Sequence, residues 1–350
     1  MAGTLYGLSD MLPVLQVQKT LTSFWLQYFP SVVNFTTDEI LFDRIFTDDR
    51  KLAPFVVPNV QGRVSGQEGY DTRSFRPAYI KDKNVFDPTM PFVRMAGEAL
   101  GTGSLTPEQR RNAILAEMLR QQKQRMQNRW EWLAAKAIID GKVVIKGEDY
   151  PETLVDFRRH ASLTSTLAGA AKWDQTTATP LADLKALRVA ANNRSGARIS
   201  RVVFGAEAWD MLGARVNLRD QMNMQVDGYG TKVTMITDGY EGYEYVGTIA
   251  GLDGSGRLEC WVNTAKFIDP MDGSEQFIQD QKTVVGVSQS VQGIQCFGAI
   301  KDKGAQYRAL SVFPKMWEEE DPSVEFLMSQ SAPLMVPKQA NATFSLKVAT

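Results

Sequence analysis

The sequence contains a single histidine, His160, among its 350 residues. A catalytic triad, a histidine metal site or histidine acid–base chemistry would have to depend on this one side chain, for which an exposed or structural role is favoured. The catalytic and metal-binding motifs CxxC, HExxH, Walker A and GxSxG are also missing. We therefore expect a protein that is not an enzyme, with no catalytic residues, no metal site and no cofactor.

Cysteine is almost as scarce as histidine. The only two, Cys260 and Cys296, lie far apart in the sequence. A chain of this size with so few cysteines does not depend on a disulfide framework. Buried free thiols are therefore predicted in preference to a disulfide, as in a protein made in a reducing compartment.

The sequence has neither a charge surplus nor a long apolar run. Its formal net charge is -1 and its pI is about 6.1, which argues against a generally basic nucleic-acid-binding protein. No apolar run reaches the roughly 18 residues that a membrane helix needs. Asp10 and Pro13 interrupt the first apolar residues, and no basic region precedes them, so no secretory signal is expected. These features predict a cytoplasmic site of synthesis and no membrane partner.

The first feature that the sequence does show is an arm-like segment over residues 1–48. Residues 12–29 predict a helix that Pro30 stops, and residues 32–35 predict extended chain. The end of the predicted helix is aromatic, with Phe24, Trp25, Tyr28 and Phe29. Hydrophobic residues make up 43% of the whole chain, enough for a sizeable core.

Residues 51–96 contain five prolines and no helical periodicity. Alternation places Phe75, Pro77 and Tyr79 on one face of an extended strand. A long two-stranded hairpin is predicted, because a structureless loop of this length is abnormal in a compact domain. An isolated hairpin is only marginally stable in water, so it needs another surface, either the same chain or a neighbouring subunit.

The next element is the clearest in the sequence. Thr106, Pro107 and Gln109 form a helix start with a capping box, and no further proline or glycine occurs before Gly141. The pattern predicts one helix over residues 107–140, roughly 51 Å long at 1.5 Å per residue. The residues that recur on one face are Leu115, Leu119, Met126, Trp130, Leu133 and Ala137. Trp130 and Trp132 suit packing on a sheet better than a coiled coil.

The remaining sequence predicts a strand hairpin, an α/β unit and returning strands. The hairpin covers 142–146 and 153–157, and the α/β unit covers 166–315. Within that unit, helices are predicted at 181–191 and 206–212, and strands at 201–205, 243–246, 258–262 and 283–287. Final strands are predicted at 324–328 and 344–348.

Charge is unevenly distributed. An acidic run, Glu318, Glu319, Glu320 and Asp321, contrasts with a basic hairpin that carries Lys51, Arg63, Arg73, Arg76, Lys81, Lys83 and Arg94. We expect the run to pair with basic residues of a neighbouring copy, although a solvated turn is the common alternative. The long helix is also basic, which suits either a face turned to DNA or an ordinary charged helix surface.

Four stretches carry a resemblance to a known family. They are 75–83 in the hairpin, 313–317 and 321–326 near the acidic run, and, most specifically, 330–335 with the sequence QSAPLM. These stretches, and the order of predicted elements, resemble the lambda-type phage major capsid protein E family. The resemblance implies an α+β protein with the Hong Kong 97-type phage capsid fold.

That resemblance also implies a division of the chain. An N-terminal arm would cover 1–48, an extended E-loop hairpin 49–100, and a P-domain 101–165 with its spine helix at 107–140. The A-domain would cover 166–315. Residues 316–332 would form the return strand of the P-domain, and 333–350 a C-terminal strand back in the A-domain.

The function implied by the resemblance is that of the major capsid protein of a tailed bacteriophage. Copies would assemble as pentamers and hexamers into an icosahedral head that encloses double-stranded DNA without sequence-specific binding. Partners would be a scaffold protein, a portal and, as an open alternative, a decoration protein. The protein would be located in the virion, and in the host cytoplasm during assembly. The alternatives are an encapsulin-like compartment protein of the same fold and a soluble α/β enzyme.

Eleven residues are the predicted contacts between subunits. They are Arg73, Phe75, Arg76, Pro77, Tyr79, Lys81 and Lys83 in the hairpin, with Glu318, Glu319, Glu320 and Asp321 in the acidic run. Covalent Lys–Asn crosslinks occur in the founding member of the fold, and Lys81 and Lys83 lie where such a lysine could sit. Resemblance to the lambda-type branch nevertheless predicts no crosslink.

Overall fold

The computed structural model describes residues 23–37, 39–45, 70–93, 106–147, 150–215, 242–249, 256–306, 308–321 and 323–349. Within these residues the chain forms three α-helices and six β-sheets, which have two to six strands each. The helices are α1 (Pro107–Ile139), α2 (Pro180–Ser195) and α3 (Ala206–Arg215). Both helices and sheets contribute to the core, as expected for an α+β fold.

Helix α1 begins where the sequence predicts. The Thr106 hydroxyl accepts a hydrogen bond from the Gln109 backbone N–H at 3.2 Å, and the Gln109 side chain accepts one from the Thr106 N–H at 2.9 Å. Since Pro107 has no N–H, this helix start leaves three N–H groups without a backbone partner, and the capping box satisfies two of them. The helix ends at Ile139, one residue before the predicted end, and Gly141 then turns the chain with a φ of +66°.

The largest sheet has six strands, and a core cluster lies on each of its two faces. In spatial order the strands are β7 (Thr164–Thr166), β18 (Thr343–Lys347), β13 (Thr283–Val287), β8 (Arg201–Gly205), β10 (Leu258–Asn263) and β9 (Tyr243–Ile249). Val202 and Phe204 of β8 pack in one core cluster with α2 and α3, whereas Val203 packs in another with the second half of α1. The alternation of strand side chains therefore places helices on both faces of this sheet.

A three-stranded antiparallel sheet packs on the first half of α1. Its order is β15 (Phe313–Glu319), β16 (Val324–Ser331) and β4 (Ile80–Phe86). Leu115 and Leu119 of the helix contact Phe86 and Leu327 in a separate small core. The buried Gln122 side chain joins helix and sheet, because it donates to the Leu327 carbonyl at 3.0 Å and accepts from the Ser329 hydroxyl at 2.6 Å.

The other sheets are small. One contains β1 (Ser31–Asn34), β14 (Ile294–Phe297) and β17 (Pro333–Val336), and the rest are two-stranded. These pairs are β2 (Ile40–Ile45) with β3 (Tyr70–Phe75), β5 (Lys142–Gly147) with β6 (Tyr150–Asp156), and β11 (Lys266–Ile268) with β12 (Glu275–Phe277). The predicted pairing of 142–146 with 153–157 is confirmed. The prediction that both tryptophans of α1 pack on sheet surfaces is also confirmed. Trp130 contacts Phe297 of β14, and Trp132 contacts Phe267 of β11.

Three predictions need correction. Of the predicted helix 12–29, residues 12–22 lie outside the described residues. The remainder forms only a short 3-10 turn (Leu26–Tyr28), because its aromatic side chains pack into the core. No single strand carries Phe75, Pro77 and Tyr79, because β3 ends at Phe75 and β4 begins at Ile80. Helix α2 continues past its predicted end at residue 191 to Ser195, where Gly196 provides the left-handed C-cap.

The hairpin also begins earlier in the sequence than expected. Its first strand, β2, lies inside the predicted arm (1–48) and pairs with β3 of the predicted E-loop (49–100). Residues 46–69, which connect these two strands, lie outside the described residues. The division of the chain into arm, loop and domains stays a prediction.

Candidate assembly surfaces

Four aromatic residues fix the N-terminal segment to the rest of the molecule. We call Phe24, Trp25, Tyr28 and Phe29 the aromatic anchor; all four are buried. The ring of Phe24 stacks on that of Tyr243 in β9, with centroids 4.2 Å apart and planes 7° from parallel. The anchor thus lies between α1 and the six-stranded sheet.

A buried carboxyl group on α1 holds the anchor's backbone. The Glu131 oxygens accept hydrogen bonds from the N–H groups of Trp25 at 2.7 Å and Leu26 at 2.9 Å. Burial raises the pKa of Glu131 to about 7, although these backbone donors act in the opposite direction. Sequence reasoning missed this residue. The signal for it was Gln127 and Glu131, two polar residues one helical turn apart on the same stripe as Ala134 and Ile138.

Arg201 binds the other side of the anchor. Its guanidinium donates to the Tyr28 hydroxyl at 3.0 Å and to Glu259 at 2.9 Å. It also lies 5.1 Å from the ring centre of Trp261, a cation–π distance. The arginine thus connects the anchor to strands β8 and β10, and the sequence alone did not indicate it.

The connection between β3 and β4 contacts its own chain. Phe75 packs partly buried on the main core, and Pro77 is buried against Gly298, where an added Cβ would lie 2.5 Å from the proline ring. The Tyr79 hydroxyl donates to the Ala299 carbonyl at 2.5 Å. Contacts of these three residues with a neighbouring subunit stay a prediction, and their side chains are already engaged in part within the chain.

The basic residues predicted as subunit contacts are more exposed. Arg76 is an exposed side chain that forms an ion pair with Glu39 at 3.2 Å. On β4, Lys81 and Lys83 both point to solvent, and the Lys83 ammonium lies 4.5 Å from the ring centre of Phe326. The side chain of Arg73 lies outside the described part of the molecule.

The acidic run forms the tip of the hairpin between β15 and β16. Glu318 and Glu319 end β15, Glu320 and Asp321 follow in the turn, and all four side chains are exposed. No ion pair reaches them from the residues that the structure describes. Glu325, opposite Glu318 in the ladder, is instead held by Arg111 at 2.7 Å. The tip is therefore a concentrated negative charge at one end of the three-stranded sheet.

The described residues offer little for catalysis. No group of three His, Cys, Asp or Glu residues among them is arranged to hold a metal ion. Cys260 and Cys296 are buried free thiols, and burial raises the pKa of each to about 12, so both are protonated at neutral pH. The His160 ring accepts a hydrogen bond from the Ser162 N–H at the start of a short turn. No helix in these segments is long and apolar enough to cross a membrane.

Known proteins are similar to this chain over most of its length. The family model described as phage major capsid protein E matches residues 7–348. The chain is 28% identical over 317 residues to the P21 prophage-derived major head protein of Escherichia coli O6:H1, covering 88% of this chain and 89% of the relative. It is 26% identical over 330 residues to the major capsid protein of Escherichia phage lambda, covering 92% of each.

Solved structures show the same fold. The crystal structure of a capsid protein from a prophage of Escherichia coli CFT073 superposes with a TM-score of 0.74 at 24% identity, covering 98% of this chain and 99% of that one. A phage-related protein from Bordetella bronchiseptica gives a TM-score of 0.53 at 12% identity, covering 97% and 96%. The expected α+β capsid fold is thereby confirmed.

Proposed function

Since the chain belongs to the phage major capsid protein E family and is the major capsid protein of a tailed bacteriophage, we propose that its copies assemble as pentamers and hexamers into an icosahedral head. The observation that carries this proposal is the family match over residues 7–348, together with a fold shared from end to end with a prophage capsid protein. The protein is part of the virion. The resemblance noted in residues 75–83 and 330–335 is confirmed as membership of the family.

The shape of the subunit supports a role in assembly. One helix of 33 residues carries a small sheet on its first half and the six-stranded sheet on its second half. In our proposal, α1 with β5, β6 and β16 belongs to the P-domain, β4 belongs to the E-loop, and α2 and α3 with most of the six-stranded sheet form the A-domain. Elements spread along a helix expose much surface, which copies in a closed shell can bury against one another.

Further parts of the proposal concern partners and chemistry. The role is structural, and we propose that the protein catalyses no reaction. The head would enclose double-stranded DNA without reading its sequence. A scaffold protein and a portal would be partners in assembly, with a decoration protein left as an open alternative. Assembly would take place in the host cytoplasm.

We propose that the acidic tip pairs with basic residues of a neighbouring copy. Four exposed carboxylates repel one another when isolated. Exposed positive charge is offered by Arg76, which also pairs with Glu39, and by Lys81 at the opposite end of the same three-stranded sheet. Each exposed ion pair would stabilise a contact by only about 0–1 kcal/mol. A shell repeats the contact many times, and weak individual contacts allow misplaced subunits to leave during assembly.

Replacing Glu318, Glu319 and Glu320 together with glutamine is expected to lower the yield of assembled particles and to flatten its dependence on salt. Salt screens exposed charges over roughly 10 Å at 0.1 M, so the wild-type yield should fall as salt rises. Velocity sedimentation over a salt series measures both effects. The wild-type chain must first form fast-sedimenting particles in this assay. That result by itself tests the proposal that the chain assembles.

A matched control for the acidic tip removes the same charge elsewhere. Asp174→Asn, Glu207→Gln and Glu244→Gln change three exposed carboxylates on other surfaces, and this triple variant should assemble with the wild-type salt dependence. If the tip variant also retains wild-type yield at every salt concentration, the acidic run is a solvated turn.

A further inference from the structure

The hairpin of β5 and β6 has one buried and one exposed face. Val143 and Val155 lie opposite each other in the ladder and are buried in the main core. The opposite face is exposed, and we call its six residues the outer hairpin face. They are Lys142, Val144 and Lys146 on β5, with Glu152, Leu154 and Asp156 on β6.

The centre of the outer hairpin face is apolar. Val144 and Leu154 lie directly opposite each other, and their exposed fractions are 41% and 58%. Exposed aliphatic residues are common singly, but a cross-strand pair at the centre of a face gives a small apolar patch that a partner could cover.

Charge on this face is segregated by strand. The basic residues Lys142 and Lys146 lie on β5, and the acidic residues Glu152 and Asp156 lie on β6. Lys142 is in register with Asp156, yet no ion pair within 4.0 Å joins any of the four to another described side chain. The face therefore has a basic row, an apolar centre and an acidic row. One oxygen of Asp156 accepts a hydrogen bond from the Arg158 N–H at 2.7 Å, and the four charges remain without an ion pair among the described residues.

This pattern is complementary to itself in one arrangement. A two-fold axis that runs parallel to the strands, between two stacked faces, places β5 of each copy over β6 of the other. Lys142 then faces Asp156 of the second copy, and Val144 faces Leu154. Lys146 comes near the oppositely charged Glu152, beside the register shift between Ile145 and Gly147. A two-fold axis across the strands would instead stack lysine on lysine and carboxylate on carboxylate, which is unfavourable.

We propose that the outer hairpin face is a two-fold contact between two copies of this chain, with the axis parallel to β5 and β6. This inference rests on the proposed function, because it identifies one contact among the copies of a shell. Six residues per copy cover far less area than a stable isolated dimer requires. The contact is therefore expected to be weak alone and to act only where other contacts hold the copies together.

Two charge-reversal variants test the arrangement. Lys142→Glu with Lys146→Glu makes the face wholly acidic, and Glu152→Lys with Asp156→Lys makes it wholly basic. Each variant alone brings like charges together and is expected to lower the particle yield about tenfold in velocity sedimentation. An equal mixture of the two variants pairs acidic with basic faces and is expected to recover about half or more of the wild-type yield.

The combined variant with all four reversals is the second test. It exchanges the basic and acidic rows, so the face is again complementary to itself and assembly should return to the wild-type level. Denaturant unfolding of each variant shows whether the subunit itself folds. Normal assembly of the single-sign variants, or no recovery by the mixture and the exchanged variant when both are folded, overturns the proposal. Failure of the wild type to form particles would instead contradict the proposed function.

Discussion

Glu131→Ala is expected to lower the free energy of unfolding of the chain by about 3 kcal/mol at pH 6. The substitution leaves the buried N–H groups of Trp25 and Leu26 without their acceptor and leaves a cavity beside the aromatic anchor. Glu131→Gln keeps one oxygen but presents an amide N–H₂ to the other donor, so about half of that loss is expected. Denaturant unfolding of the full chain, followed by tryptophan fluorescence, measures both values.

The control is a second glutamate on the same helix. Glu117 is exposed and pairs with Arg120 one turn away, so Glu117→Ala should change the free energy of unfolding by less than about 1 kcal/mol. If Glu131→Ala is no more destabilising than this control, the carboxyl group does not hold the anchor.

The same carboxyl predicts how stability depends on pH. Its pKa in the folded chain is about 7, above the ordinary value of 4.5 for a glutamate, because burial opposes the charged form. The folded chain therefore binds this proton more tightly than the unfolded chain does. The resulting stability is fully present below about pH 4.5 and is lost as the pH rises towards and through 7. Relative to Glu131→Gln, which does not titrate, the wild type should lose about 2–3 kcal/mol between pH 5 and pH 8.

Arg159→Ala is expected to destabilise the chain by about 2–4 kcal/mol. The guanidinium donates to the carbonyls of Ile138 at 2.7 Å and Ile139 at 2.8 Å, which end α1, and to the Thr164 hydroxyl of β7 at 2.8 Å. Burial lowers the pKa of Arg159 to about 10, so the group stays charged at neutral pH. Its removal leaves the last helix carbonyls without these donors and loosens the link between α1 and the six-stranded sheet.

Two further variants separate this role from a general loss of charge. Arg159→Lys retains the charge but cannot reproduce the fork that reaches two carbonyls, so an intermediate loss is expected. The adjacent Arg158 is exposed, and Arg158→Ala should leave the unfolding curve within about 0.5 kcal/mol of the wild type. Equal unfolding curves for Arg158→Ala and Arg159→Ala would show that the C-terminal end of α1 does not depend on Arg159.

The elements predicted best are those with local signals. The capping box at Thr106 and the lack of proline or glycine up to Gly141 were sufficient to predict α1 within one residue of its end. The strands of the six-stranded sheet that contain consecutive apolar residues, such as β8 and β13, were also predicted. Helix starts and buried strands are readable because a few neighbouring residues determine them.

The features that sequence reasoning missed depend on distant residues. Glu131 and Trp25 are 106 positions apart, and the anchor forms a short turn because its N–H groups bond to that carboxyl rather than extending a helix. Likewise, Pro77 and Tyr79 are held by contacts with the chain near Gly298 and Ala299. Alternation within a segment predicts which residues share a face. It does not predict which distant surface will cover that face.

Cryo-electron microscopy of particles formed by the full chain, expressed alone and with a co-expressed scaffold protein, tests directly whether the chain builds a closed head. Closed shells of uniform diameter with icosahedral symmetry are expected. Density in each position of their five- and six-membered rings should fit α1 and the six-stranded sheet. A chain that remains monomeric, or that forms only small oligomers or irregular aggregates under both conditions, would contradict it.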